Sequence, residues 1–422
     1  MAWWFGVKLW KRVFLGLILG VIFGLAVSQL MEAAAAEALL AKVRVVGDVF
    51  IRLIRMIVVP LVFFTLVAGI YAMGDPKKLG TIGLKAFVLY LLTTFFANLL
   101  GLAMGTLFQP GRGVDLGGAE PRDPPEGKEI GDILMGIIPE NPFAALVQGD
   151  MLAVIFFSLL LGVGLLMARE AGAAAGKFFE AASEGVLKMT HLIMELAPFG
   201  VFGLIAYVAG TKGVATFTAI LSLTLAVYLG CALHMLIVYG GLVKLVLRLP
   251  FIAYFRGILD PLMVAYSTSS SSATLPVTIR AAQENLGISK SVAGSVLPLG
   301  ATVNMDGTSL YLGIVALFTA QAFGYTLEPQ HYFLIALTAA LVSIGTAGVP
   351  SASLFLLAIV LDVFDVTPEH TALVIGFIFP FDRLLDMMRT VTNVTGDTAV
   401  ATAVAKWEGE LDEETFRAKP LS

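Results

Sequence analysis

Long apolar runs recur along this chain, and they leave few folds open. Clear ones cover 13–30, 46–73, 86–108, 151–168, 186–209 and 214–243. Runs of about 17–30 residues match helical membrane spans, not the alternating strands of about 10 residues that build an outer-membrane barrel. Only 14% of the 422 residues are charged and 58% are hydrophobic, whereas an ordinary soluble domain is about a quarter charged. A disordered chain and a soluble enzyme with a normal surface are excluded. The net charge of −4 offers no basic field to nucleic acid. The single cysteine, Cys231, rules out an intrachain disulfide and a CxxC metal site.

At the start, Lys8, Lys11 and Arg12 precede the run 13–30. The small residues Ala33 to Ala36 raise a cleaved signal peptide, but the length of the run and the character of the rest make it the first span. The stretch 110–129, rich in Pro, Gly and charge, reads as a solvent loop. Residues 130–150 read as a short broken helix beside the membrane. The acidic stretch Glu408–Glu414 reads as solvated surface.

The second half differs. Around 251–285 and 331–366 the apolar runs are interrupted by small polar residues: Tyr266 to Thr274 in the first, Ser343 to Ser353 in the second. Irregular backbone cannot face lipid, so it is buried in protein or lines a wet cavity. Two broken segments at matching places point to a transporter binding site, and both are expected to be re-entrant helical hairpins. The long spans 288–322 and 370–406 complete eight crossings, which puts both termini on one side. That side collects Lys77, Lys78, Lys85, Arg248, Arg256, Arg280 and Lys290, against Lys42, Arg44 and Arg112 opposite, so the termini are expected to be cytoplasmic.

The last span carries the strongest signal. Asp382, Asp386, Arg389, Asn393 and Asp397 fall within a helical stripe roughly 80° wide and roughly 22 Å long. Four ionisable groups on one face of a membrane helix cost roughly 2.5–3.5 kcal/mol each and must face partners inside the protein. Asn304-Met305-Asp306-Gly307-Thr308 suggests a mid-membrane break that bares carbonyls, and hard cations take carbonyl, carboxylate and hydroxyl oxygens. Arg389 offers a fork for a carboxylate, Asp386 a counter-charge for an ammonium, and Asn393 and the hairpin serines neutral hydrogen bonds. Together they describe an acidic amino acid, with Asp397 and Asp306 left over for cations. There is no HExxH, no P-loop and no GxSxG, so the chain is not expected to be an enzyme or an ATPase, and no cofactor is expected.

The runs Ser270 to Pro276, Asn304 to Thr308, Gly345 to Pro350 and Asp386 to Asp397 strongly resemble the glutamate/aspartate:cation symporters, the dicarboxylate/amino acid:cation symporter family. The resemblance covers nearly the whole chain. It implies an all-α membrane protein with eight transmembrane helices and two re-entrant hairpins, working as a homotrimer by an elevator motion. Scaffold spans one and two would lie in 1–84, transport-domain span three in 85–109, and the loop with scaffold spans four and five in 110–213. The transport-domain core would be 214–422: span six, hairpin one 251–285, span seven 288–322, hairpin two 331–366, span eight 370–406 and a cytoplasmic tail.

By motif match Arg389 would bind the substrate's side-chain carboxylate and Asp386 its amine. Thr390, Asn393, Thr308, Ser270, Ser271 and the backbone around Val349 would complete the pocket. Asp397, Asn393, Gly300 and Asn304 resemble one sodium site. Thr302, Ser343, Ile344 and Thr346 resemble a second. Asp306, Tyr90, Thr93, Thr94 and Asn304 resemble a third. Many relatives carry a second arginine where this chain has Ser269 or Met387, and Leu312 stands where proton-coupled animal members carry Glu. The expectation is a cell-membrane symporter taking up aspartate and/or glutamate with sodium. The alternatives are a C4-dicarboxylate or neutral amino acid as solute, or protons as the driving ion.

Overall fold

The computed structural model describes residues 7, 9–71, 76–114, 116, 135, 138–212, 218–344 and 353–418. These residues are almost entirely helical; the sole β-type pairing among them is one antiparallel bridge between Ile288 and Leu411.

The first helices are α1 (Leu9–Leu30), α2 (Ala33–Tyr71) and α3 (Pro76–Phe108). After them come α4 (Pro142–Gln148), α5 (Met151–Met167), α6 (Ala173–Met194) and α7 (Ala197–Lys212). Helix α7 packs on α1 and α2, and α2 packs on α5 and α6. The α1–α7 contact is close because Gly16, Gly20 and Gly24 recur every four residues on one face. A Cβ at Gly20 would lie 2.9 Å from the Phe202 carbonyl oxygen, and Gly16 and Gly24 sit tighter still on the Pro198 and Ala206 carbonyls.

The remaining helices form around α3. They are α8 (Thr218–His234), α9 (Phe251–Gly257), α10 (Leu259–Thr268), α11 (Ser271–Glu284), α12 (Lys290–Val303) and α13 (Asp306–Phe323). Then follow α14 (Pro329–Ile344), α15 (Ser353–Asp362), α16 (Pro368–Glu408) and α17 (Glu413–Arg417). Two π-helical turns, Met235–Tyr239 and Leu242–Val246, extend α8. Helix α3 packs on α13 and α8, and α16 packs on α8, α10, α12 and α13. Between the two sets of helices, contacts run chiefly from the first part of α16 to α1, α2 and α7. There Gly376 meets Leu204, and Phe50 meets the Phe379 ring edge-on at 5.7 Å.

Three helical stretches among the described residues are long and apolar enough to cross a membrane: Lys11–Leu30, Ile82–Phe108 and Ala219–Val246. The 41 residues of α16 also have the length, but its polar stripe is buried against other helices. Large apolar side chains such as Ile22, Leu92, Phe96, Leu229 and Ile237 are exposed instead.

Three features of the fold depart from what the sequence implies. The run 186–209 is not one helix: α6 stops at Met194 and α7 starts at Ala197. Pro198 has no amide hydrogen and fits only the first turn of a helix. Arg12 closes this corner by a two-point ion pair to Glu195 at 2.6 and 3.0 Å. The run 46–73 lies in a helix that begins earlier: α2 starts at Ala33, and the alanines 33–36, the best helix formers, belong to it. Lastly, the tail is not merely solvated. Asp412 N–H donates to the Gly287 carbonyl at 2.8 Å, Lys85 pairs with Glu408 at 2.7 Å, and Phe416 is buried.

Of residues 130–150, the described part forms α4, started by Asn141, whose side chain accepts from the amides of Phe143 and Ala144, and closed by Gly149 at φ 74°. Most of the expected loop 110–129 and the tip 345–352 lie outside the described residues.

Candidate functional site

The polar stripe of α16 faces a break in the helix pair α12–α13. Asn304 (φ −90°, ψ 86°) and Met305 (φ −115°, ψ 49°) are both non-helical, so the expected interruption is present. The break is stitched to α16. Asn304 Nδ2 donates to the Asn393 carbonyl and to Asp397 Oδ1, both at 2.9 Å. Gly307 N–H donates to Asn393 Oδ1 at 2.8 Å. Glycines make this approach possible: a Cβ at Gly307 would strike the Arg389 backbone, and one at Gly300 would lie 2.5 Å from both Asp397 Oδ1 and the Tyr90 hydroxyl.

Arg389 is fully buried on α16. Its Nη2 donates to Asp382 Oδ1 at 2.9 Å and lies 2.9 Å from Asp386 Oδ1. The guanidinium sits over the Tyr311 ring, 4.1 Å from its centre. Nε and Nη1 have no partner among the described residues. A buried charged group with spare donors is costly unless something accepts from it, and the two spare nitrogens can donate to a carboxylate.

A second cluster surrounds Asp306, also fully buried. Thr94 Oγ1 donates to its Oδ1 at 2.5 Å, the Tyr239 hydroxyl donates to Oδ2, and His234 Nε2 lies 3.0 Å from Oδ2. Asn304 Oδ1, in the break next to Asp306, has no donor among the described residues. Near this break, Asp397 Oδ1 and the Tyr90 hydroxyl both lie against Gly300, and Asn304 links Asp397 to the segment that carries Asp306; carboxylate, amide and hydroxyl oxygens are the donor types a hard cation takes.

At the turn between α10 and α11, Ser269 is left-handed (φ 53°) and Ser270 caps α11, its Oγ accepting from Ala273 N–H at 3.1 Å. Ser270 and Ser271 are both buried.

A family model described as the sodium:dicarboxylate symporter family matches residues 9–407. A proton/sodium-glutamate symport protein of Bacillus subtilis strain 168 is 35% identical over 409 residues, 94% of this chain and 92% of that protein. A C4-dicarboxylate transport protein of the same organism is 35% identical over 415 residues, 96% of each chain. The proton/glutamate-aspartate symporter of Escherichia coli K12 is 36% identical over 381 residues, 87% of this chain and 86% of that one. The chain belongs to the sodium:dicarboxylate symporter family.

It is thus an integral membrane transporter that couples its solute to a cation, not an enzyme. Within this symporter, Arg389, Asp386 and Asn393 lie together on α16, and Asn393 reaches the α12–α13 break. Thr390 and Thr308 are buried in the same helices. Asp397, Asn304 and Gly300 meet one another, as do Asp306 and Thr94. Tyr90 reaches another acceptor: its hydroxyl donates to the Val296 carbonyl at 3.1 Å, and Thr93 Oγ1 donates to the Tyr90 carbonyl. The set of Thr302, Ser343, Ile344 and Thr346 is not brought together by any described contact of these side chains. Thr302 Oγ1 donates to Leu299 and Ser343 Oγ to Ala340, each within its own helix. Thr346, Val349 and the side chain of Ile344 lie outside the described residues.

His234, Tyr239 and Tyr311 escaped the sequence reading as site residues. His234 and Tyr239 stand five apart, which is no single face of an α-helix. The π turn over Met235–Tyr239 brings them to one carboxylate. Tyr311 lies in an apolar helix, and only its position under Arg389 marks it.

Proposed function

We propose that this symporter takes up acidic amino acids, aspartate and/or glutamate, with sodium. The observation that carries the reading is the buried Arg389 fork with two unpartnered nitrogens beside two carboxylates. Asp382 and Asp386 together outweigh one guanidinium by one negative charge, which a substrate ammonium on Asp386 balances. Arg389 then takes the side-chain carboxylate, and Thr390, Asn393, Thr308, Ser270, Ser271 and the Val349 backbone supply the neutral contacts. A relative named for glutamate and aspartate supports the same substrate class.

Sodium is a transported substrate in this reading. Asp397 with Asn393, Gly300 and Asn304 holds one ion. Asp306 with Tyr90, Thr93, Thr94 and Asn304 holds another. Thr302, Ser343, Ile344 and Thr346 form a third when the second hairpin closes. Ion binding neutralises the two aspartates and orders the α12–α13 break, so cation and substrate affinities are reciprocally coupled.

The wider architecture follows the same proposal: eight spans and two re-entrant hairpins in a homotrimer of the cell membrane, both termini cytoplasmic. The helices around α2 serve as scaffold, and those around α3 and α16 move as an elevator. The concentration of helix contacts within each set supports that division.

The test is uptake of radiolabelled L-aspartate into proteoliposomes under an inward sodium gradient or a proton gradient in sodium-free buffer. Sodium-driven uptake is expected. Uptake driven by protons alone would overturn the sodium assignments. A second reading, a C4-dicarboxylate solute, is supported by the relative of that name; it predicts that succinate competes fully with labelled aspartate.

A further inference from the structure

The last turn of α10 ends in carbonyls that its own helix cannot satisfy. Arg383, on α16, supplies donors to two of them. Its Nη1 donates to the Thr268 carbonyl at 3.0 Å and its Nη2 to the Ser267 carbonyl at 2.8 Å. A planar fork on two successive carbonyls fixes direction as well as distance. A cation at a helix C-terminus also faces the negative end of the dipole.

The place of this contact is unusual. Arg383 directly follows Asp382, so adjacent residues of α16 serve two purposes: Asp382 holds the Arg389 guanidinium of the same helix, and Arg383 holds the end of α10. The next residue in α10's path, Ser269, is a non-glycine in left-handed backbone. That state persists where its surroundings over-determine it. The Ser269 side chain does not help, since its hydroxyl is buried with no partner among the described residues. From within the hairpin the turn is held by the Ser269 N–H bond to the Ala265 carbonyl at 2.8 Å, the Ser270 N–H bond to Thr268 Oγ1 at 3.3 Å and the Thr274 Oγ1 bond to the Ser270 carbonyl at 2.8 Å; from outside the hairpin it is held by Arg383.

We propose that Arg383 is a positioning residue for transport: it fixes the tip of the α10–α11 hairpin, and with it the Ser270–Ser271 turn, relative to Arg389. This rests on the reading of the Arg389 site as the acidic substrate site. Arg383 acts through the turn rather than by touching substrate. Losing it lets the serines drift from the pocket and weakens binding without removing a substrate contact.

Two measurements test this. The first is the kinetics of L-aspartate uptake by wild type, Arg383→Gln and Arg383→Lys. The Gln variant is expected to raise KM about tenfold or more, the size of a lost charged hydrogen bond, with the maximal rate little changed. Lysine keeps the charge but not the fork, and recovers part of the loss. A role in folding alone would lower the yield and the maximal rate and leave KM in place. The second needs no substrate. In a Cys231→Ala background, Ser269→Cys carries the only thiol, and a water-soluble maleimide reports its access. Adding Arg383→Gln is expected to speed labelling by about tenfold or more, in step with the lost bond. Unchanged KM together with unchanged labelling overturns the proposal. If wild type takes up no acidic amino acid, the substrate reading fails on its own. The labelling ratio then still decides: faster labelling supports Arg383 as the clamp of the tip, and equal rates overturn it.

Discussion

In the proposed site, Arg389 narrows the ligand more than any other side chain does. Its Nη2 is taken by Asp382 and Asp386, its face by Tyr311, and Nε and Nη1 remain. Arg389→Lys keeps the charge but loses the fork, so aspartate affinity is expected to fall about 100-fold, the worth of roughly two charged hydrogen bonds. Calorimetric titration of the purified transporter checks this; affinity within threefold of wild type would count against the assignment. Asp397→Asn removes a charge from the cluster at the Asn304 break. It is expected to flatten the sodium dependence of aspartate binding, which the same titration at several sodium concentrations reads. These residues were legible in the sequence because charge on one face of an apolar helix has few explanations. His234 and Tyr239 were not legible, since their shared face exists only where α8 turns π-helical.

Among the elements, those paired by glycine are the most exposed to substitution. Gly20→Leu forces bulk against the Phe202 backbone and is expected to cost about 1–3 kcal/mol through overpacking. Gly164→Ala, on α5, meets nothing within 4 Å and is expected to leave the melting temperature in detergent unchanged or slightly raised. Equal melting temperatures for the two variants would refute the close-packing account. The short α17 carries a different sensitivity. Hydrogen bonds from Thr415, and from the amide of Glu414, hold the Asp412 carboxyl below the usual carboxylate range. A lowered folded-state value means that its contribution is present above the unfolded value and lost as pH falls through the folded one. Amide exchange at 413–417 is therefore expected to quicken only in acid below the ordinary carboxylate range. The apolar runs announced most helices, but the corner at 195–196 and the docked tail depended on Pro198, Arg12 and Gly287, whose partners lie far away in sequence.

For the molecule as a whole, the two sets of helices meet chiefly through apolar and small residues along the first part of α16. Among the described residues one ion pair joins the sets, Arg44 to Glu369 at 2.9 Å, with Glu369 largely exposed. Such a pair is worth about 0–1 kcal/mol and is screened by salt. A double-mutant cycle with Arg44→Gln and Glu369→Gln on thermal stability is expected to give a coupling in that range that vanishes at high ionic strength; a larger, salt-insensitive coupling would mean the contact is far drier than its exposure indicates.

Glu369 stands near one end of α16 and Glu408 at the other, with Arg389 between them on a continuous helix of 41 residues. Such a helix measures about 60 Å along its axis, roughly twice the thickness of the hydrocarbon. Both ends therefore reach water while Arg389 stays buried midway. The helix would act as a pointer for the proposed elevator: spin labels placed near its two ends register, from outside the membrane, any travel of the buried Arg389.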